Sequence, residues 1–262
     1  MPSHRTTARG VFLSLLVLGL TAGTAFARVD AKPVPRLIFP VVGKAVYTDD
    51  FGAPRGNGAH QGNDIMTTWR SPAVAAESGK IKFHTTSARA GCMLYLHGAS
   101  GTTYMYIHLN NDLTAKNDNR GKCVAGSAYW KGLKDGARVE AGQPIAYNGN
   151  SGDADAAGYH LHFEVHPGGG AAVSPFTYLR KAKKLLFAVQ PGADFTAALR
   201  GKVVQADADA QSLTLLVDRV QSWPGGLRVT EVRRSVEITV PPSVVISDPL
   251  GVLIAAAKLS AL

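Results

Sequence analysis

The stretch Tyr159-His160-Leu161-His162-Phe163-Glu164-Val165-His166 alternates without a break between imidazole or carboxylate and apolar side chains after its leading tyrosine. A period of two is the signature of a β-strand, on which successive side chains point to opposite faces. It places His160, His162, Glu164 and His166 on one face and Leu161, Phe163 and Val165 on the other. One face therefore belongs to a core and the other to chemistry. Two histidines two residues apart on a rigid strand can set one imidazole on a metal and the second beside the metal's open position, as a hydrolytic zinc site requires. The same dipeptide pattern also arises on an ordinary solvent-facing strand, so the reading depends on partners elsewhere in the chain.

Those partners lie about a hundred residues upstream, in His60-Gln61-Gly62-Asn63-Asp64. Gly62 between His60 and Asp64 lets a turn aim an imidazole and a carboxylate at one point. With His162 they make a set of two nitrogens and one carboxylate, and three protein ligands leave the fourth tetrahedral position for water. A metal there acidifies that water and polarises the carbonyl it attacks. The reaction then needs a general base, and His160 is placed for it by its own strand.

The rest of the chain supplies the setting. Arg5 and Arg9 precede an apolar run over residues 11–20 and an Ala25-Phe26-Ala27 exit, which reads as a secretory signal peptide over 1–27. The run is too short to span a bilayer, so no stable membrane anchor is expected. Loss of the leader removes two of the nine net positive charges. A basic exported protein suits anionic cell-envelope polymers, and no nucleic-acid motif accompanies the charge. General solubility is the plainer alternative. Cys92 and Cys123 are the only cysteines, and in an exported chain one pair reads as one disulfide, contributing about 3 kcal/mol by loop closure. Their spacing resembles no common zinc knuckle.

Residues 28–36 read as a loose lead-in with Pro33 and Pro35. Residues 37–42 read as a short edge strand containing Pro40, and residues 48–64 as loop. Strand-like runs follow at 74–76, 79–84, 93–97, 102–109 and 143–147. Residues 110–128 read as a long surface loop rich in Asn, Asp and Gly, with Cys123 near its far end. A short helix is expected over 174–184, its basic residues toward the C-terminal end. Segments 200–206, 212–217, 227–232 and 235–240 are β-rich, and the last apolar stretch, 249–262, is expected to dock as a terminal helix or strand. The expected fold is thus mainly β and antiparallel: a larger domain over 37–190 and a second, smaller β-barrel or sandwich domain over 196–262.

The motifs FGAPRG, HQGND, YIHL and HLHFEVHP, taken together and in this order, resemble the lysostaphin-type (LytM-like) zinc endopeptidases that cleave peptidoglycan peptides. The resemblance runs from about Leu37 to Leu179. It implies one zinc ion held by His60, Asp64 and His162, with His108 and His160 as the two catalytic histidines that handle the water and stabilise the transition state. It also implies peptidoglycan stems or cross-bridges as partners; the leader already points to export, periplasmic or extracellular, and a monomer is expected. Where the family often carries a tyrosine before the metal motif, this chain has Phe51, which receives no role. The stretch 116–132 is longer than a minimal domain requires and is expected to shape the substrate groove.

Other residues have competing readings. His84 and His97 end strand-like runs and read as surface or structural residues. His166 sits beside Pro167, where the strand is expected to end. Glu164 reads equally as a residue orienting a metal ligand or as an ordinary polar residue. Tyr104 and Tyr106 share parity with His108, which would put them in the groove, unless they are simply β-formers. Two rival functions stand beside the peptidase: a non-catalytic peptidoglycan-binding or hydrolase-activating envelope protein of the same fold, and a peptidase acting on glycine-rich or elastin-like protein.

Overall fold

The computed structural model describes residues 33–56, 58–194, 196–223 and 228–240, with two further short strands near the C-terminus. The leader expected over 1–27, and most of the terminal element expected over 249–262, lie outside the described residues. No helix among the described residues is long and apolar enough to cross a membrane.

In chain order the strands are β1 (Pro54–Arg55), β2 (Gly58–Ala59), β3 (Asn63–Met66), β4 (Pro72–Val74), β5 (Gly79–Ser87), β6 (Gly91–Gly98), β7 (Thr103–Leu109), β8 (Arg138–Val139), β9 (Pro144–Tyr147) and β10 (His160–His166). The helix α1 (Phe176–Lys181) follows, then β11 (Thr196–Asp207), β12 (Ser212–Trp223), β13 (Arg228–Thr239), β14 (Ile246–Ser247) and β15 (Leu253–Ile254). The fold is mainly β, and every pairing of named strands is antiparallel.

The central sheet has six strands in the order β3-β10-β7-β6-β5-β8, so the histidine strand is interior, between β3 and β7. Its register puts His162 opposite Asp64 on one side and Ile107 on the other. Leu161, Phe163 and Val165 are fully buried, as the alternation requires. They join Ile65, Ile81, Leu94, Leu96, Tyr104 and Tyr106 in one core. Burial of each such side chain contributes about 1.5–3 kcal/mol. This core fixes which face of β10 meets solvent, because a slip of one residue would turn every histidine inward.

Several expectations are corrected. Residues 37–42 form no ladder strand: Ile38 and Val41 make isolated bridges to Lys183 and Ala73, and Pro40 has no N–H with which to continue a ladder. The glycine-rich stretch 48–64 is not all loop, since β1 and β2 make a small hairpin within it. Tyr104 and Tyr106 do not line a groove; both are fully buried. The Tyr104 hydroxyl donates to Glu77 Oε2 at 2.7 Å, and the Tyr106 hydroxyl donates to the Val74 carbonyl at 2.9 Å. Burial raises both phenols above their ordinary pKa.

Cys92 and Cys123 are joined in a disulfide, tying the 110–128 loop to β6. Beyond residue 195, β11, β12 and β13 form a three-stranded antiparallel meander. The two separate segments expected at 227–232 and 235–240 are one strand, β13. The apparent break is Arg233, whose φ of 47° accompanies a register shift against β12. Among the described residues this sheet does not close into a barrel.

Candidate active site

An open cleft of about 740 Å³ lies over the chemical face of β10. Its lining includes His60, Asp64, His108, His160 and His162, flanked by Arg55, Arg89 and Asp153. All five residues singled out from the sequence therefore converge on one surface.

Three of them bring donor atoms together. His60 Nε2 lies 2.8 Å from His162 Nδ1, and Asp64 Oδ1 lies 3.2 Å and 3.0 Å from those two nitrogens. The opposite atoms of both rings are engaged: His60 Nδ1 donates to the Asp50 carbonyl at 2.9 Å, and His162 Nε2 donates to Glu164 Oε1 at 2.9 Å. With those protons placed, the two facing nitrogens present lone pairs to each other and to a carboxylate. Such a set is repulsive unless a cation sits within it. A tetrahedral zinc ion with bonds of about 2.0–2.1 Å separates its ligand atoms by roughly 3.3 Å. The observed separations are close to that, and the mixed imidazole and carboxylate chemistry suits a borderline-soft divalent ion. The group fits a metal ion.

The electrostatics follow from this crowding. Protons on the facing nitrogens can take the cation's place: burial would raise the Asp64 carboxyl, but hydrogen bonds from His162 and His60 so protonated, with the nearby His160, outweigh it and hold it far below the usual carboxylate range. In that proton-filled state burial likewise opposes a charge on His162, yet its bonds to Asp64 and Glu164 prevail and raise it to about 9, so a metal entering the cluster displaces the Nδ1 proton. Arg55 Nη2 donates to Asp64 Oδ2 at 2.7 Å, leaving Oδ1 for the cluster. Asp50 is itself pinned, since Asn63 Nδ2 donates to its Oδ1 at 2.6 Å.

His160 and His108 are arranged differently. His160 Nδ1 donates to the Gly158 carbonyl and His108 Nδ1 to the Ser151 carbonyl, each at 2.8 Å. With those protons placed, both Nε2 atoms face the cleft as acceptors without a hydrogen bond, 3.8 Å from Asp153 Oδ1 for His108 and 3.9 Å from Asp64 Oδ1 for His160, and the two ring centroids are 5.1 Å apart. Burial and then the neighbouring His160 lower His108 to about 4, so it is a neutral imidazole at neutral pH.

His108 reaches the cleft by a departure from alternation. Cys92 pairs with Leu109 and Leu94 with Tyr106, so Ile107 and His108 together oppose Met93 alone. This is a β-bulge, and His108 sits in it with φ of 60°, in the left-handed region. The extra residue turns His108 out of the face that Tyr104 and Tyr106 share and into the cleft beside Ile107. Parity counted along an uninterrupted strand would have buried His108 with them.

The remaining residues divide clearly. Glu164 orients His162, and its Oε2 also accepts from His166 Nε2 at 2.6 Å. The strand therefore runs through His166, whose Nδ1 donates to the Gly170 carbonyl. His97 is exposed on the sheet, near Thr103, and His84 packs edge-on to Tyr95; neither lines the cleft. Residues 116–132 do not line it either, contrary to expectation. Instead Asn117 and Asn119 hold Asp155 and Asn150, in the segment that does. Asp50, Arg55, Ser151 and Gly158 were not singled out from sequence. Arg55 lies within FGAPRG, but the other three act through carbonyls or contacts that no spacing announces.

No family model matches the chain. Among solved structures, the chain is similar to the lytM protein of Ruminococcus gnavus ATCC 29149, at 22% identity and a TM-score of 0.43, covering 58% of this chain and 63% of that one. It is similar to the catalytic domain of the antimicrobial peptidase lysostaphin from Staphylococcus simulans, at 26% identity and a TM-score of 0.41, covering 53% and 92%. It is also similar to the catalytic domain of the prophage-encoded M23 protein EnpA from Enterococcus faecalis, at 27% identity and a TM-score of 0.39, covering 51% and 91%. The chain spans less than two thirds of the Ruminococcus gnavus structure. The solved structures it is similar to are thus LytM-like and lysostaphin-type M23 proteins.

Proposed function

We propose that this chain is an exported zinc endopeptidase that hydrolyses peptide cross-links of bacterial peptidoglycan, with residues 196–262 forming a separate small domain. The observation that carries the reading is the convergence of His60 Nε2, Asp64 Oδ1 and His162 Nδ1 beside two further histidines with free Nε2 atoms. The motifs FGAPRG, HQGND, YIHL and HLHFEVHP support the substrate class.

In this reading His60, Asp64 and His162 hold the metal. A zinc ion there supplies an acidified water and a Lewis acid for the scissile carbonyl. His160 takes the proton of the attacking water at Nε2, because its Nδ1 proton is committed to the Gly158 carbonyl. Once protonated, His160 can return that proton to the leaving amine. His108, fixed by Ser151, faces the same space with Nε2 as an acceptor, so it holds the attacking water and can donate to the developing tetrahedral centre only after taking up a proton at Nε2. Arg55 and Glu164 orient the ligands without touching substrate. The open cleft admits an extended peptide, and the basic charge of the chain favours anionic envelope polymers.

The test is digestion of purified peptidoglycans of different cross-bridge types by zinc-loaded protein, with new amine ends identified by mass spectrometry. The proposal expects one bond type to be cut. Zinc-loaded protein that releases no new amine from any of them, while still sedimenting with them, would replace it with a non-catalytic binding role.

A further inference from the structure

The 110–128 loop lends no residue to the lining of the cleft, yet together with the adjoining segment 148–150 it holds most of the buried polar atoms that lack a partner among the described residues. Of the eight buried side-chain nitrogen and oxygen atoms without a hydrogen-bond partner among the described residues, five belong to Asn111, Asp112, Asn148 and Asn150. The two segments are neighbours: Leu109 bridges Asn148, and Asn150 Nδ2 donates to Asn117 Oδ1 at 3.0 Å. Asp112 is the decisive member. It is fully buried; its Oδ1 accepts one N–H, from Asn119 at 2.8 Å, and its Oδ2 accepts nothing. Among the described residues no lysine, arginine or histidine pairs with Asp112, Asp118 or Asp155. A buried carboxylate with neither counter-charge nor full hydrogen bonding is costly.

Of the amides beside it, Asn111 and Asn150 present oxygen, while Asn148 leaves both Nδ2 and Oδ1 without a partner. Asn111 Nδ2 is spent on Asn119 Oδ1 at 2.8 Å, and Asn150 Nδ2 on Asn117 Oδ1 and the Asp155 carbonyl, so each bare atom is Oδ1. We propose that Asn111, Asp112 and Asn150 together hold a hard divalent cation of the calcium class, with Asp112 as its anionic ligand and the two amide oxygens beside it. Calcium takes six to eight oxygens from carboxylates, amides, carbonyls and water, and this oxygen-only set offers zinc no nitrogen or sulfur. The surroundings are negative: burial first, and then the charges of Asp112, Asp118 and Asp155, raise the Tyr159 phenol. The site's reach to the cleft is short. Ser151, which follows Asn150, gives its carbonyl to His108, and Gly158 gives its own to His160. A cation that orders this segment therefore positions both imidazoles, a consequence that rests on the proposed peptidase function, whereas the binding itself does not.

The test uses the zinc-loaded, disulfide-intact protein in buffer stripped of other divalent ions. Terbium is the probe, because Trp69 donates to Asn110 Oδ1 and Tyr159 to the Ala115 carbonyl, which puts both sensitising rings against this loop, and calcium is the competitor. Saturable one-to-one terbium emission displaced by calcium is expected, with a rise in Tm of about 5 °C at saturating calcium. Asp112→Asn and Asn150→Ala should each weaken calcium binding at least about tenfold, while Asp118→Asn, exposed and engaged with backbone N–H groups, should change it little. Should Asp112→Asn fail to fold, the wild-type titration still decides. No sensitised emission and no calcium-dependent change in Tm at millimolar concentration would overturn the proposal and leave a pocket holding ordered water only. That result would not touch the peptidase reading, which the peptidoglycan digest tests separately.

Discussion

Replacing Glu164 tests the proposed metal site through a residue that does not touch the metal. Glu164 is 8% exposed, and both its oxygens are used: Oε1 accepts from His162 Nε2 at 2.9 Å and Oε2 from His166 Nε2 at 2.6 Å. Burial alone would raise its carboxyl, but these two bonds outweigh it and lower it to about 2, so it is ionised throughout the neutral range. Glu164→Ala strips the acceptor from a buried imidazole N–H and frees the His162 ring to take the other tautomer. Losing such an outer partner typically weakens metal binding about 10–100-fold, or about 1.4–2.8 kcal/mol. Glu164→Gln should cost less than about tenfold. Its amide oxygen still accepts from His162, and its NH₂ can donate to a neutral His166, whose Nδ1 keeps its bond to Gly170. Zinc affinity is read by competition with a chromogenic chelator, with Tm recorded for each variant. A folded Glu164→Ala that binds zinc like the wild type would refute the orienting role, and a Gln variant as weak as Ala would show that charge, not orientation, is what matters.

Three further outcomes follow from the fold. A methyl group on Gly62 would stand 2.5 Å from the Phe163 carbonyl oxygen and 2.8 Å from His162 Nε2, so Gly62→Ala should lose about 1–3 kcal/mol of stability in denaturant titration. The Cys92–Cys123 bridge closes a span of 31 residues, so the double Cys→Ala variant should lose between about 3 and 4 kcal/mol, and the unfolded, unreduced wild type should show no free thiol. The Glu164–His166 pair sets a pH window. His166 is raised above 6.5, so its contribution is complete below that value and fades as pH climbs through the raised folded pKa; Glu164 is lowered from 4.5, so its contribution is complete above 4.5 and fades as pH falls toward about 2. Thermal melts of the zinc-loaded protein, in which His162 is held by the metal and does not titrate, should show an alkaline decline in the wild type that is reduced in His166→Gln.

The histidine strand was legible because one period-two pattern specified both its type and its faces, and the core at Leu161, Phe163 and Val165 bears that out. The convergence of His60, Asp64 and His162 was legible because they occur in motifs that carry their own turn and strand. His108 is instructive in the opposite sense. Its motif pointed to the cleft, whereas the parity that grouped it with Tyr104 and Tyr106 failed, because a bulge at Ile107 and His108 leaves no mark in residue type. The partners that set each tautomer were not legible either. Asp50 and Ser151 contribute backbone carbonyls to His60 and His108, and a carbonyl is the same in every residue. Arg233 misled in its own way: two consecutive arginines read as a turn where the backbone only kinks within one long strand.

The central claim separates the group that holds the metal from the group that moves the proton. Zinc content by atomic spectroscopy and peptidoglycan cleavage should be measured together on the wild type, His160→Ala and His162→Ala. His160→Ala is expected to keep its zinc and lose about 10²–10⁴-fold in rate, whereas His162→Ala should lose both metal and activity. A His160→Ala protein that keeps zinc and full activity, or a His162→Ala protein that keeps wild-type zinc, would contradict the account.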